Sequence, residues 1–257
     1  MARRKIAGMR AIVTGASSGI GRALTLALVR QGACVVALAR REDRLLDLKQ
    51  AATKSERLQT IAGDVANPVD RAAAIEQCRS VFGGLDVLIN NAGIGAHGPF
   101  AENDEARLRQ LMEVNLFAPA EFIRQALPHL RHGRQPLIVN VGSVLGHTAV
   151  PGRSEYCASK FALHGLSDAL RIELGREGID VLLVSPSTTS TEFFDRALGE
   201  SGKHTKRGMS SEAVANKTIA AMKSGRREII LSAGGKALVW LDRLCPSLAS
   251  RLIGRFS

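Results

Sequence analysis

Tyr156 is the only tyrosine of the chain, and Lys160 follows it by four positions in a stretch with helical patterning. That spacing puts the two side chains one turn apart on one helix face. A phenol titrates near ~10, so a tyrosine that exchanges protons near neutral pH needs a neighbouring cation that favours phenolate. Lys160 can be that cation. Ser143 ends the strand-like run Leu137-Ile138-Val139-Asn140-Val141, where a hydroxyl can hydrogen-bond a reacting oxygen. Asn115 falls midway along a helical stretch, a poor choice there unless its side chain or a local backbone irregularity is put to use. Taken alone, a Tyr-x-x-x-Lys pair recurs often by chance in helices that do no chemistry.

Upstream, Thr14-Gly15-Ala16-Ser17-Ser18-Gly19-Ile20-Gly21 separates the strand-like run Met9-Arg10-Ala11-Ile12-Val13 from an amphipathic helical stretch. A strand, a glycine turn and a helix start form an anion cradle. Gly15 permits the tight turn, and Gly19 and Gly21 let backbone approach a pyrophosphate resting on the helix N-terminal amides. Ser17 and Ser18 add hydroxyl donors. The spacing G-x-x-x-G-x-G departs from the usual G-x-G-x-x-G fingerprint, and a structural turn without ligand is the competing reading. About twenty residues on, where NAD-binding folds place a carboxylate for the ribose 2′-hydroxyl, the chain reads Ala39-Arg40-Arg41. A guanidinium there favours a 2′-phosphate, hence NADP(H) over NAD(H), although Arg41 also opens a basic helix start.

The elements that must position these residues alternate. Strand-like runs at 10–14, 34–39, 57–62 and 85–90 are separated by helical stretches at 19–31, 42–53 and 68–82. A helix over 103–128, a strand near 136–142, a helix over 154–177, a strand at 179–185, a helix over 210–224 and a strand near 227–231 follow. The expectation is an α/β fold: a Rossmann-type doubly wound parallel sheet of about seven strands with helices on both faces, in one domain spanning 1–257. Residues 186–209 break the alternation as a long polar connection carrying Phe193 and Phe194. It reads as a substrate loop or as an ordinary surface loop.

Thr14 to Gly21, Asp64-Val65, Asn90-Asn91-Ala92-Gly93, Asn115, Ser143, Tyr156 and Lys160 resemble, in order and spacing, the short-chain dehydrogenase/reductase family over about residues 8–195. The resemblance implies Tyr156 as general acid/base, Lys160 lowering its pKa and bonding the nicotinamide ribose, and Ser143 orienting the substrate oxygen. It implies that Asn115 holds a water in a proton relay through Lys160. Asp64 and Val65 would lie at the adenine, with Asn91, Ala92 and Gly93 along the dinucleotide. After the sixth strand the family usually has Pro-Gly; here the run is Pro186-Ser187-Thr188-Thr189-Ser190-Thr191, which keeps Pro186 and Thr191 and sets Thr189 among the expected cofactor contacts. Gly142 stands where serine is common. The implied activity interconverts a ketone or aldehyde and an alcohol by hydride transfer. A non-catalytic NADP(H)-binding regulatory protein on the same fold is the alternative, and the full Asn115, Ser143, Tyr156, Lys160 set argues against it. The family also implies a homodimer or homotetramer.

Composition narrows the partners. With 35 Lys+Arg against 24 Asp+Glu, the formal net charge is +11, which suits anionic ligands such as nucleotides. Only 4% of residues are aromatic and no nucleic-acid motif is present, so nucleic acid is not the expected ligand. Cys34, Cys78, Cys157 and Cys245 form no C-x-x-C pair, and the six histidines show no ligand spacing, so no metal and no disulfide framework is expected. His97 and His147 read as pocket-lining or, preferably, as surface or supporting residues. No signal-like or spanning segment stands out, and a cytoplasmic location is expected. Residues 234–257 carry an apolar stripe, Ala237, Leu241, Leu244, Leu248, Leu252 and Phe256, among Lys236, Arg243, Arg251 and Arg255, with Pro246 dividing two short helices. Packing of this amphipathic tail on its own domain or a partner subunit is preferred to contact with a membrane surface.

Overall fold

The structure, a computed structural model, describes residues 3–190, 193, 197–199 and 208–255. Seven strands form its main sheet: β1 Arg10–Thr14, β2 Cys34–Ala39, β3 Leu58–Ala62, β4 Val87–Asn90, β5 Leu137–Val141, β6 Asp180–Ser185 and β7 Glu228–Ile230. Their spatial order is β7-β6-β5-β4-β1-β2-β3, and every pairing is parallel. The order reverses at β1, whose two neighbours are β2 and β4. This is the Rossmann-like arrangement expected, and the crevice at its switch point is where such sheets bind ligands.

The strands read as near-continuous apolar runs because both faces are covered. On β1, Ala11 and Val13 point to a layer built with Leu24 and Leu28 of α1 (Gly19–Arg30), Leu45 and Leu48 of α2 (Glu42–Ala51), and Val214 and Ile219 of α7 (Ser211–Ser224). Ile12 points the other way, to Ile75 of α3 (Pro68–Phe82), Phe122 and Ile123 of α5 (Ala118–Leu130), and Leu174 of α6 (Ser154–Gly175). The period-2 alternation of side chains thus divides one strand between two cores.

The helix expected over 103–128 is three pieces: α4 Glu105–Met112, a π-helical turn Glu113–Phe117, and α5. Asn115 sits in that turn, completely buried. The irregularity suspected from an asparagine in mid-helix is therefore real, and its cause is the wider turn, which lets the amide reach sideways instead of competing with its own helix. In the tail, α8 (Ala233–Leu244) and α9 (Pro246–Arg255) meet at Cys245, with Pro246 at the first position of the second helix, where its missing N–H is harmless. Among the described residues no helix is long and apolar enough to cross a membrane.

Candidate active site

The glycine turn is held from below by the end of β4. The Thr14 hydroxyl oxygen accepts hydrogen bonds from the backbone N–H groups of Asn91 and Ala92, both at 2.9 Å, and the Asn91 amide donates to the carbonyl of Thr14 at 2.8 Å. Gly15 has φ +64°, and a Cβ there would lie 2.9 Å from Ala92 Cα; one on Gly21 would lie 2.3 Å from the Gly15 carbonyl oxygen. Neither position has room for a side chain. The Asn91 amide shapes the turn, and Asn91 together with Gly15, Ser17, Ser18, Gly19, Ile20, Ala92 and Gly93 lines a cavity of about 920 Å³.

The same cavity is lined by Arg40, Arg41, Asp64, Val65, Ser143, Tyr156, Lys160, Pro186 and Thr189. Thr191 lies outside the described residues, as do Phe194 and most of the long connection that follows. The two arginines behave differently. Arg41 Nη2 donates to the hydroxyls of Ser17 at 3.0 Å and Ser18 at 2.7 Å, so guanidinium and glycine turn form one donor cluster. Arg40 is mostly exposed and reaches Asp64 only at 3.9 Å.

At the other end, α6 presents Tyr156 and Lys160 to the end of β5. Both are buried, at 5% and 4% exposure. Burial pushes the Tyr156 phenol up to about 12, opposed by a hydrogen bond from the Ser143 hydroxyl and by the charge of Arg153. Lys160 Nζ donates to the Val141 carbonyl at 3.2 Å and stands 5.8 Å from the centroid of the Tyr156 ring; burial pushes its ammonium down to about 8. Thus in the unliganded site the hydroxyl of Ser143 and the guanidinium of Arg153 act on the phenol, while Lys160 is turned toward backbone. Arg153, three residues before Tyr156, lines the cavity and was not among the residues singled out from sequence; its i, i+3 spacing to Tyr156 was the available signal.

A buried ammonium with a depressed pKa is a stability cost. The unfolded chain binds this proton below pH 10.5 and the folded chain only below about 8, so the cost grows as pH falls from 10.5 to about 8 and is constant below that. Lys160→Met should therefore raise the unfolding free energy of the unliganded protein at pH 7 by up to roughly 3 kcal/mol, a gain that shrinks toward pH 10. Urea melts at both pH values check the sign. A uniform loss at both would mean that the bond to Val141 outweighs desolvation.

Asn115 couples the π-helical turn to the site wall. Its Oδ1 accepts from the Ile94 N–H at 2.9 Å; its Nδ2 donates to the Ile94 carbonyl and to Ser159 Oγ, each at 3.0 Å. Ser159 in turn donates to the Tyr156 carbonyl at 2.8 Å. A Cβ on Gly93 would lie 3.0 Å from Asn115 Oδ1 and 3.5 Å from Lys160 Nζ, so glycine keeps the dinucleotide-side wall open where these two groups converge.

Beyond Tyr156 the cavity turns apolar. Leu145, Val150, Pro151 and Phe193 line it, joined by Leu238 and Leu241 of α8 and Leu252 and Ile253 of α9. The Phe193 ring meets that of Tyr156 edge-on, with centroids 6.0 Å apart. The tail thus turns part of its apolar stripe to the cavity, while Trp240, Leu244 and Leu248 stay exposed. His97 and His147 are absent from the lining; His147 is buried behind it against Ser185.

A glycine cradle at the switch point, two arginines at the end of β2 and a Ser-Tyr-Lys group at the end of β5, all on one cavity, mark a nucleotide-binding α/β protein. Comparison with known proteins agrees: the model of the short chain dehydrogenase family matches residues 9–200, and the chain belongs to that family of oxidoreductases. It is 32% identical over 257 residues to the dehydrogenase/reductase SDR family member 7B of Bos taurus, covering 94% of this chain and 79% of that one. It is 34% identical over 184 residues to the 3-ketodihydrosphingosine reductase of Bacteroides thetaiotaomicron, covering 72% of this chain and 65% of that one. Among solved structures, a short-chain dehydrogenase/reductase of Burkholderia phymatum in complex with NAD superposes with a TM-score of 0.86 at 25% identity, over 95% of this chain and 96% of the other. One of Burkholderia cenocepacia in complex with NADP gives 0.82 at 27% identity, over 97% and 99%.

Proposed function

We propose that this protein is an NADP(H)-dependent oxidoreductase that interconverts a ketone and an alcohol on a lipophilic substrate. The reading rests on one observation above all: the Ser143, Tyr156 and Lys160 group opens into the same cavity as the glycine cradle, on the side where its lining becomes apolar. The cradle's steric limits at Gly15 and Gly21 suit a pyrophosphate on the α1 N-terminus, and Arg41 with Ser17 and Ser18 suits a 2′-phosphate. When bound, the nicotinamide supplies the hydride. The protein supplies position and protons.

In the direction of reduction, alkoxide charge grows on the substrate oxygen. Ser143 O–H, whose own oxygen already accepts from the Leu145 N–H at 3.1 Å, donates to that oxygen, and Tyr156 transfers its proton there. Lys160 then favours the phenolate left behind, a role that requires its Nζ to turn from the Val141 carbonyl toward the ribose and the tyrosine. Asn115 fixes Ile94 and, through Ser159, the first turn of α6, and so holds Tyr156 in register with the cradle.

The substrate half carries Leu145, Val150, Pro151, Phe193, Leu238, Leu241, Leu252 and Ile253, and no carboxylate among the described lining residues lies there. Such a wall selects by apolar area. The Bacteroides relative bears a name that denotes reduction of a long-chain ketone, in keeping with this reading. A homologous series of methyl ketones, followed by NADPH absorbance, should show kcat/KM rising by up to about fourfold per added methylene until the cavity is filled. A flat or falling series would overturn the substrate class. No turnover of any ketone, aldehyde or alcohol would overturn the activity.

A further inference from the structure

Behind the wall that carries Ser143, three possible ligands arrive from three elements. His147 leaves the short turn Val144–Gly146, His164 sits on α6 one turn beyond Lys160, and Glu228 opens β7. One ring nitrogen from each histidine and one oxygen of Glu228 all lie within 4.8 Å of one another. His147 Nε2 is 3.3 Å from Glu228 Oε1, and the two imidazole centroids are 4.3 Å apart. None of the three residues lines the large cavity.

Hydrogen bonding leaves this cluster incomplete. His164 Nδ1 is 2.9 Å from the Gly146 carbonyl oxygen, which can only accept, so Nδ1 carries the hydrogen and a neutral ring presents Nε2 as a lone pair. Asp168 Oδ2 stands 3.3 Å from that same Nε2, so either a proton or a metal ion sits between them. His147 Nε2 pairs with Ser185 Oγ at 2.8 Å, whereas its Nδ1 and Glu228 Oε1 are both buried without a hydrogen-bond partner. Arg171 engages Asp168 at 2.5 Å, leaving Glu228 as the carboxylate of the group.

We propose that His147, His164 and Glu228 form a binding site for a divalent transition-metal ion of the zinc class. Two imidazoles and one carboxylate suit zinc over magnesium or calcium, which prefer oxygen ligands. Ligand atoms about 2.1 Å from a tetrahedral ion lie roughly 3.4 Å apart, close to the 3.3 Å between His147 Nε2 and Glu228 Oε1, and an ion there takes the place of the Ser185 hydroxyl at Nε2. Closing the remaining span needs small rotations of His164 and Glu228, whose side chains are 16% and 31% exposed. Water completes the shell. The ion ties the turn after Ser143 to the helix of Tyr156 and Lys160 and to the edge strand, so it acts as a clamp behind the site. The three ligands are far apart in sequence and on different elements, which is why no spacing motif betrays them.

The test uses untagged protein stripped with a chelator. Zn²⁺ titrated in competition with a chromogenic chelator should bind at one equivalent, Co²⁺ should give a visible absorption band, and saturating Zn²⁺ should raise the thermal midpoint by several degrees. His164→Gln and Glu228→Gln, at partly exposed positions that the fold tolerates more readily than a change at buried His147, should each weaken Zn²⁺ at least ~10-fold and abolish the thermal shift. Absence of stoichiometric binding by the unaltered protein would overturn the proposal. So would undiminished affinity in both variants, which would locate the ion elsewhere.

Discussion

Tyr156→Phe is expected to bind NADPH within about threefold of the unaltered protein while kcat for carbonyl reduction falls by about 10³-fold, in the range lost when a positioned acid is removed. The substitution deletes one oxygen and leaves the ring in its edge-on contact with Phe193. The deleted hydroxyl's partner, Ser143, keeps its bond from the Leu145 N–H and faces a cavity that water can enter, so little stability is at stake. What disappears is the proton. Ser143 alone cannot supply it, since an aliphatic hydroxyl is a far weaker acid than a phenol, and Lys160 Nζ is directed to the Val141 carbonyl. Turnover follows from NADPH absorbance and affinity from nucleotide fluorescence. Turnover within tenfold of the unaltered enzyme would remove Tyr156 from the mechanism.

The two effects on the phenol explain why so buried a tyrosine is useful. With its pKa near 12 it is held protonated at neutral pH, ready to donate to an incipient alkoxide that is more basic still. An ammonium near 8 is poised to discharge or to be charged by small changes around it. An anionic dinucleotide would favour the charged form, and in the proposed mechanism that couples cofactor arrival to activation of the acid. Under the proposed mechanism the stability sacrificed by burying Lys160 is the counterpart of its role, and Lys160→Met should trade one for the other.

How far the sequence carried depends on whether a feature is local. The seven strands and the crossover helices follow from apolar runs and their periods, and the parallel, doubly wound character of the sheet from the α/β alternation, because each segment's pattern states its own conformation. Tyr156 and Lys160 were legible as a pair for the same reason: their relation is i, i+4 on one helix. Asn115 was legible as an oddity, but that it spans to Ile94 and Ser159, 21 and 44 positions away, is a fact of packing. Likewise nothing local distinguishes Arg40 from Arg41, or indicates that Asn91 spends its amide on the turn after β1. The tail was legible as an amphipathic stripe. Which cavity Leu241 and Leu252 face depends on how α8 and α9 return across the ends of the strands, beyond the reach of any window. The histidine cluster was invisible for that reason too.

The proposed preference for NADP(H) can be tested at Arg41. Arg41 sits against Ser17 and Ser18 with its Nη2 on both hydroxyls, so a phosphate arriving at the end of β2 meets a guanidinium already oriented and two hydroxyls already drawn toward it. Orientation in advance lowers the entropy lost on binding. A hydrogen bond to a charged partner contributes about 1.5–3 kcal/mol, so Arg41→Ala should lower kcat/KM with NADPH by roughly 10- to 100-fold. With NADH, which lacks the 2′-phosphate, the change should stay within about threefold. Arg40→Ala should cost NADPH only a few-fold, because that side chain is largely exposed, reaches Asp64 at 3.9 Å and acts through screened solvent. Steady-state kinetics of both variants with both nucleotides, at one ionic strength, separates the outcomes. Equal losses with NADPH and NADH in Arg41→Ala would mean that the guanidinium merely braces the glycine turn through Ser17 and Ser18. A loss confined to NADPH assigns it to the phosphate, since only that ligand presents the charge that a planar, bidentate donor is shaped to meet.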